Sequence, residues 1–341
     1  MTEILGNDSL LASLRQIARL GQVSHSYILN GSEGTGKRLI ADWFARLLQC
    51  TGTEKPCGRC LSCLQAASGS HPDIIHVGHE KPNLISVDDI RTGINQTMQV
   101  RPYSGQYKIY IVDEAEKMNV QAQNALLKTI EEPPEYGVIL LLTTNAASFL
   151  PTILSRCVRL DVRPLPDEKV AELLISRSVP EADARRIARL SGGSCGRAFS
   201  MSESESFRGM SELVFGVLRQ LDHLRIKDIH AFLNEMGKYK EETESALALM
   251  ELWFRDVLVL TAGQDVKYLQ FREERESMTE IAAHIKPDGI LKIFDAVQET
   301  RDRLNANVNY ELSIELLLLT MRDSISRPRA AAAERRTAWQ Q

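Results

Sequence analysis

Long apolar runs are missing from this sequence of 341 residues: none reaches the roughly 18 residues that a membrane-spanning helix needs. The start lacks a positively charged segment followed by an apolar core, so we expect no signal peptide. Basic residues do not outnumber acidic ones, and the net charge is −4. A protein that binds DNA by itself is usually basic. Contact with nucleic acid is therefore expected only from a local patch or through partners.

Cysteines are few but clustered. There are six, and without a secretory signal they predict no disulfide framework, so we expect the chain in the reducing cytoplasm. Four lie within fourteen residues at spacings typical of a metal site: Cys50, Cys57, Cys60 and Cys63. Four thiolates predict a closed, structural Zn²⁺ site, since a catalytic site keeps an open position. Free structural cysteines are the alternative. His71 could compete as a ligand, but we expect the segment HPD to shape the entry to the next strand. Cys157 and Cys195 are predicted to be packing residues.

Short apolar segments alternate with segments of helical spacing in the first half of the chain. Five of them predict buried parallel strands, at 26–30, 73–77, 108–113, 138–144 and 158–162. Between them, residues 119–132 show apolar positions on one helical face, and Pro133 and Pro134 end that helix. This alternation predicts a doubly wound α/β domain with a five-stranded parallel sheet.

The rest of the chain has helical spacing only. Two prolines in residues 163–166 predict a hinge, so we place the α/β domain at 1–163, with the cysteine module at 50–63. A small helical lid is predicted at 164–204 and an all-α domain at 205–327. Residues 328–341 lack a core-forming pattern and predict a mobile tail.

A phosphate-binding loop is predicted after the first strand. The segment GSEGTGK supplies Gly31, Gly34, Gly36 and Lys37 in the pattern G-x4-G-K, directly before a helix predicted at 39–48. Glycines let backbone N–H groups turn toward phosphates, and the lysine meets the terminal phosphates. Arg38 stands where a hydrolysing P-loop protein has Ser or Thr, whose hydroxyl binds Mg²⁺. The phosphate cradle is therefore predicted to be intact and the metal seat damaged.

An acidic pair follows the third strand. Asp113 and Glu114 stand at its carboxyl end, which is the usual place for a Mg²⁺-binding aspartate and a water-activating glutamate. The alternative is a pair of solvated acids at a strand end. The preceding P-loop favours the functional interpretation.

Two arginines could contact phosphate. Arg156, in the segment SRC between the fourth and fifth strands, could stabilise a phosphate held by a neighbouring protomer, although an ordinary surface arginine is the simpler interpretation from physics alone. Arg197 follows a glycine turn at the start of a helix. It either folds back onto the phosphates as a sensor or faces solvent.

Taken together, these segments resemble the bacterial clamp-loader AAA+ family over nearly the whole chain, to about residue 325. The likeness rests on HSYILNGSEGTGK, the four-cysteine module before HPDI, IVDEAEKMNVQAQNALLKTIEEPP, LLTTNAASFLPTILSRC, GGSCGRA and RLNANVNYELSIELLLL. The resemblance implies a AAA+ P-loop domain with a zinc module, a helical lid and a helical collar that joins the subunits of a ring. It also implies that Arg156 is a trans-acting arginine finger. Asn145 of the sensor-1 segment and Arg197 of the sensor-2 helix would join the glycines, Lys37, Asp113 and Glu114 at a degraded nucleotide site.

The resemblance implies a place in the loader of the DNA polymerase III holoenzyme, a nucleotidyltransferase complex. Expected partners are tau/gamma and delta subunits, the sliding clamp and primer–template DNA, with no membrane involved. Length and Arg38 favour a shorter subunit with a degraded P-loop and little or no ATPase activity of its own. Binding of ATP or ADP without turnover is compatible with this expectation. The alternatives are an ATP-hydrolysing tau/gamma-type motor, and a zinc-dependent nucleic-acid-binding protein with a relic ATPase fold.

Overall fold

The computed structural model describes residues 4–78, 81, 84–306 and 308–325. The chain forms two compact units. The first contains the residues up to Val170 together with Ser191–Arg197, and the second contains Ala171–Leu190 and the residues from Ala198 onward. The predicted mobile tail lies outside the described residues. Among the described helices, none combines the length and apolar character needed to cross a membrane.

The first unit is built on a five-stranded parallel sheet in the order β2-β3-β4-β1-β5. The strands are β1 Ser26–Asn30, β2 Ile74–Val77, β3 Lys108–Val112, β4 Gly137–Thr143 and β5 Val158–Asp161. Ser26 is in register with Ile139 between β1 and β4, and Lys108 is in register with Gly137 between β3 and β4. The predicted parallel sheet is thus confirmed, with strand ends within one residue of the expected positions.

Helices cover both faces of this sheet. The α-helices that precede β5 in the chain are α1 Asp8–Leu20, α2 Lys37–Gln49, α3 Leu61–Ala67, α4 Val87–Ile90, α5 Gln96–Met98, α6 Val120–Glu131 and α7 Pro151–Leu154. Side chains alternate along the strands, so Tyr27 and Leu29 pack with α1 and α2, whereas Ile28 packs with α6 and α7. Because both faces are covered, the central strands β3 and β4 are buried along their whole length.

One expectation about the strands is wrong. We predicted that all five are buried, but three of the four residues of β5 are exposed, with Val158 39% exposed, and only Val77 of β2 is buried. The reason is position, because β2 and β5 are the two edge strands of this sheet, and β5 pairs only with β1. Its Arg159 and Asp161 pair with each other at 2.9 Å, which is the kind of charged surface that protects a sheet edge.

A buried carboxylate organises the turn before β3. The Asp73 side chain is fully buried and accepts hydrogen bonds from the backbone N–H groups of Tyr103, Ser104 and Gly105 at 2.6, 2.8 and 2.9 Å. Burial raises the pKa of Asp73, but these three donors outweigh it, so the pKa lies below its ordinary value. Tyr103 is left 86% exposed on a turn whose backbone is held firmly.

The second unit is helical. Helices α8 Asp167–Ser176 and α10 Cys195–Glu203 each cross the boundary between the units in the chain. The others are α9 Glu181–Leu190, α11 Glu205–Leu218, α12 Ile226–Met236, α13 Thr243–Thr261, α14 Arg275–Ala282, α15 Pro287–Asn305 and α16 Tyr310–Ser324. Its core contains Trp253 and Phe254, with ring centroids 5.1 Å apart. The predicted helical character of this half is confirmed, while the proposed divisions at residues 163, 204 and 327 stay predictions.

Candidate functional site

The predicted P-loop connects β1 to α2 at the carboxyl edge of the sheet. Gly31 continues the β1 pairing by donating its N–H to the Thr143 carbonyl at 3.1 Å. Gly34 and Gly36 adopt φ values of +72° and +90°, which favour glycine. A Cβ on Gly34 would also lie 2.0 Å from the Ser194 Oγ, so both the backbone conformation and the packing require glycine there. The loop has the strand–turn–helix setting that the motif predicts.

Lys37 is the first residue of α2 and turns back over the loop. Its Nζ donates to the carbonyl oxygens of Gly31 and Ser32 at 2.7 and 2.9 Å. Burial lowers the pKa of Lys37, and the nearby carboxylates of Glu116 and Asp113 partly oppose that shift. A phosphate in the loop would compete with these two carbonyls for the ammonium group.

Arg38 pairs directly with the acidic residue after β3. Its Nη1 donates to the Asp113 Oδ2 at 3.1 Å, and its Nη2 lies 3.3 Å from the His76 Nδ1. Arginine can only donate, so the His76 Nδ1 accepts and its Nε2, which lies 3.4 Å from the Asp42 Oδ1, carries the proton. The two positions that hold Mg²⁺ in a hydrolysing P-loop protein are therefore joined to each other, and the residues present do not fit that metal.

The neighbouring acids are held in different ways. Glu114 adopts φ +48°, in the left-handed region, and its carboxylate accepts from the Lys117 Nζ at 2.6 Å. Glu116 accepts from the Thr144 hydroxyl at 2.6 Å. Burial raises the pKa of Glu116, but hydrogen bonds from Thr144 and Thr143 outweigh it and keep the pKa below its ordinary value. A charged Glu116 near Lys37 adds negative charge to the phosphate end of the site.

The two predicted sensor residues occupy different surroundings. Asn145 follows β4, and its Oδ1 caps the next helical turn by accepting from the Ala147 N–H at 3.0 Å. Arg197 is exposed, while the segment that carries it touches the P-loop, because the Gly196 N–H donates to the Gly34 carbonyl at 3.3 Å. The structure brings the glycines, Lys37 and the Arg197 segment together, whereas the roles of Asn145 and Arg197 stay predictions.

Arg156 lies at the other end of the sheet. It precedes β5, whereas the P-loop follows β1, and these two strands are parallel neighbours. A strand of this length separates its two ends by roughly 16 Å. The Arg156 guanidinium is 41% exposed and pairs with the Glu131 Oε1 at 3.1 Å, at the end of α6. It therefore points away from the P-loop of its own chain.

The four clustered cysteines lie close enough to share one ion. The sulfur atoms of Cys50, Cys57, Cys60 and Cys63 all lie within 4.8 Å of one another. Four sulfurs at about 2.3 Å from a zinc ion in a tetrahedron are about 3.8 Å apart, so a small contraction completes the geometry. The Sγ atoms of Cys60 and Cys50 are already 4.0 Å apart. The cluster could therefore hold a metal ion.

The surroundings of the four cysteines act in opposite directions, since they favour the thiolate of Cys60 and disfavour that of Cys63. Backbone N–H groups point at the sulfurs, as Cys57 N does at the Cys50 Sγ (3.3 Å) and Cys63 N at the Cys60 Sγ (3.4 Å). Hydrogen bonds of this kind, with Thr51 foremost, lower the pKa of Cys60 to about 5. Burial raises the pKa of Cys63 to about 12, which is an environment that a bound cation would offset.

His71 does not belong to the cysteine cluster. Its Nδ1 accepts from the Asp73 N–H at 3.1 Å, so its Nε2 carries the proton and donates to the Ser62 Oγ at 2.9 Å. The Ser62 hydroxyl in turn donates to the Gln49 carbonyl at 2.9 Å. Burial lowers the pKa of His71, which keeps the ring neutral for this arrangement. The competing-ligand interpretation of His71 therefore has no support in the geometry.

Sequence reasoning missed four residues around these sites. His76 and Asp42 extend the Arg38 contact, Glu116 faces Lys37, and Glu131 holds Arg156. His76 lies at the end of a strand that the sequence predicts, but only the pairing of β2 with β3 in the structure brings it beside Asp113. The other three depend on side-chain directions that spacing in the sequence does not reveal.

Comparison with known families matches both halves of the chain. The family described as DNA polymerase III, delta subunit, matches residues 6–166. The family described as DNA polymerase III, delta subunit, C terminal, matches residues 217–323. Together the two matches cover most of the chain.

Individual relatives fall into two groups. The chain is 29% identical over 310 residues to the DNA polymerase III subunit delta' of Bacillus subtilis, covering 89% of this chain and 92% of that protein. It is 37% identical over 185 residues to subunit delta' of Pseudomonas aeruginosa, covering 52% and 56%. It is 27% identical over 330 residues to subunit tau of Bacillus subtilis, covering 89% of this chain but only 58% of that longer protein.

Proposed function

This chain belongs to the clamp-loader subunits of DNA polymerase III, and from that membership we propose that it works as a delta-prime subunit. In this role it completes a five-subunit ring that uses ATP to open the sliding clamp and to place it on primed DNA. Its own part is to hold the ring together through the helical second unit and to serve a neighbour's ATP site. Its own P-loop contributes little or no hydrolysis.

The observation that carries this proposal is the contact between Arg38 and Asp113 at 3.1 Å. An ATP-hydrolysing subunit needs a hydroxyl and a carboxylate free to hold Mg²⁺ at these positions. In this chain Arg38 offers no ligand atom to a metal, and its contact with Asp113 occupies the position where the ion would lie. The lack of a fitting metal seat distinguishes a delta-prime role from that of a motor subunit, although both kinds of relative match over 89% of this chain.

Arg156 suits the second half of the role, the donation of an arginine finger. It lies at the sheet end opposite the P-loop of its own chain, so a phosphate that it meets must be held by another subunit. Glu131 and the Thr152 carbonyl, which accepts from Nη1 at 3.1 Å, fix the direction of the guanidinium. We propose that Glu131 positions the finger before assembly and shares it with the neighbour's phosphate afterwards.

For the cysteine cluster we propose one structural Zn²⁺. Four sulfurs with backbone donors, one with a pKa near 5, form a closed set that suits zinc and leaves no open position for catalysis. The bound zinc would stabilise the loop between α2 and α3 in one conformation. The expected partners are the tau/gamma and delta subunits, the sliding clamp and primer–template DNA, and the expected location is the cytoplasm.

The second candidate is a tau/gamma-type motor. Lys37, Asp113 and Glu114 are all present, and the tau relative matches over 330 residues. That role requires Arg38 to leave Asp113 whenever Mg-ATP arrives. Measurable ATP turnover by the purified chain that disappears in Lys37→Ala would favour the motor.

Assembly provides the direct test. The chain is co-expressed with tau/gamma and delta subunits, purified through a tag on delta, and its stoichiometry is measured by native mass spectrometry. We expect one copy of this chain in each five-subunit complex. Failure to co-purify, or several copies replacing tau/gamma, would contradict the delta-prime role.

A further inference from the structure

We propose that the Arg38 guanidinium is a built-in replacement for the divalent cation of this P-loop, so that the site binds a nucleoside triphosphate without Mg²⁺. This goes beyond the proposed function, which requires no nucleotide on this chain. The phosphate cradle is complete, because Gly34 and Gly36 adopt the left-handed conformation and the Lys37 ammonium group lies over the loop. Only the metal end of the site is altered.

The first argument is geometric. A Mg²⁺ ion in a P-loop site lies between the hydroxyl after the lysine and the aspartate at the end of the neighbouring strand, with oxygen ligands at about 2.1 Å. In this chain the Arg38 Nη1 and the Asp113 Oδ2 are themselves 3.1 Å apart. No ion fits between two atoms in hydrogen-bond contact, and guanidinium offers no lone pair to a metal. Positive charge therefore stands where Mg²⁺ would stand.

The second argument concerns how the guanidinium is held. Asp113 takes Nη1 and His76 takes Nη2, and these two acceptors come from the ends of the adjacent strands β3 and β2. Asp42, one turn further along α2, lies 3.4 Å from the His76 Nε2. This contact holds the proton of the imidazole on Nε2 and leaves the His76 Nδ1 to accept from Arg38. Two of the five guanidinium N–H groups are engaged by these contacts, and a planar donor group of this kind suits phosphate oxygens.

The third argument concerns charge and mobility. The side chains of Arg38 and Asp113 are 54% and 41% exposed, and exposed pairs of this kind are weak. Arg38 can therefore share its donors between Asp113 and a phosphate at little cost, and in either arrangement its charge stays at the metal end of the loop. Lys37 and Arg38 then supply two positive charges to the phosphates. Mg²⁺ would have to displace the arginine and remain beside it.

Nucleotide titrations with and without metal test this proposal. The full-length chain is titrated with a fluorescent ATP analogue in EDTA and, separately, in excess Mg²⁺. We expect saturable binding with dissociation constants that agree within about twofold, because no metal takes part. Lys37→Ala should abolish binding in both buffers, which locates the nucleotide in the P-loop.

Two variants distinguish the arginine from a metal seat. Arg38→Thr restores the hydroxyl, so binding in EDTA should weaken at least tenfold and Mg²⁺ should restore it. Asp113→Asn removes the competitor for Arg38, so binding in EDTA should be equal or tighter, whereas a Mg²⁺-dependent site would lose affinity. Both positions are about half exposed, and thermal melts verify that the variants fold.

Three results would overturn the proposal. They are binding by the unmodified chain that requires Mg²⁺, the absence of saturable binding in either buffer at millimolar nucleotide, and Arg38→Thr binding in EDTA as well as the unmodified chain does. None of these results affects co-purification with the other loader subunits. Failure of the nucleotide proposal and failure of the delta-prime role are therefore separate outcomes.

Discussion

Replacing Arg156 with alanine should disturb assembly and folding very little. The change removes one ion pair with Glu131 and the hydrogen bonds to the Thr152 carbonyl and the Ser155 Oγ. Both partners of the ion pair are more than 40% exposed, at 41% and 46%. Exposed pairs contribute about 0–1 kcal/mol, so we expect the melting temperature to fall by no more than about 4 °C.

The same change should have a large effect on the assembled loader. Arginine fingers in GTPase systems accelerate phosphoryl transfer by about 10³–10⁵. Other sites in the ring keep their own fingers, so we expect a smaller loss for the whole complex, about tenfold or more in DNA-stimulated ATPase activity. Clamp loading, measured with labelled clamp on primed DNA, should decline in parallel. Arg156→Lys should restore little, because lysine lacks the planar pair of donors.

Arg159→Ala is the matched control. Arg159 is also an exposed arginine, three residues further along the chain within β5, and it pairs with Asp161 at 2.9 Å. Its loss should leave ATPase activity near that of the unmodified complex. Lys37→Ala in the same subunit should also have a much smaller effect than Arg156→Ala. If Arg156→Ala is silent while Lys37→Ala abolishes the activity of the complex, the chain is a motor and the finger assignment is wrong.

Three further predictions concern the chain alone. Elemental analysis should find one zinc per chain. Cys60→Ser should lose the zinc and loosen residues 50–70 while the sheet stays folded, whereas the control Cys195→Ser should keep the zinc. Zinc-free protein with the same stability would contradict this prediction. The isolated chain should not hydrolyse ATP above background, and turnover that disappears in Lys37→Ala would refute the role given to Arg38. Asp73→Asn should lower the free energy of unfolding by about 3 kcal/mol, because three buried N–H donors lose a charged acceptor, whereas exposed Asp88→Asn should be neutral. Because the folded-state pKa of Asp73 is lowered, its contribution is complete above pH of about 4 and is lost as the pH falls through that lower pKa, so the difference between variant and unmodified chain should vanish in acid.

Much of the fold could be predicted because the pattern is local. Apolar segments bounded by turns gave β1 to its exact ends, and the prolines after α6 marked its end within one residue. The exposure of β5 could not be predicted in the same way, since it depends on strand order, which the sequence pattern leaves open. Its alternating charges, Arg159 and Asp161, were a signal of an edge strand that the apolar residues obscured.

The sites show the same division. Spacing predicted the P-loop and the sulfur cluster, since both use residues that are close in sequence. Spacing also predicted that Arg38 would disturb a metal seat, but not that it pairs with Asp113 across 75 residues of sequence. The contact between Glu131 and Arg156 similarly needs the path of α6 across the sheet.

The chain of polar contacts through His71 has a consequence for the cysteine module. Ser62 lies between two of the cysteines, its hydroxyl meets the His71 ring, and the same turn carries Asp73, whose carboxylate holds the backbone of Tyr103. These hydrogen bonds connect the cysteine module to the start of β2, and they require a neutral His71 ring. A doubly protonated imidazole could not accept the Asp73 N–H. The same contacts connect the segment that carries the cysteines with the turn that carries the exposed Tyr103 ring. A probe attached at position 103, where the side chain is exposed, is therefore expected to sense a loosening of the cysteine module.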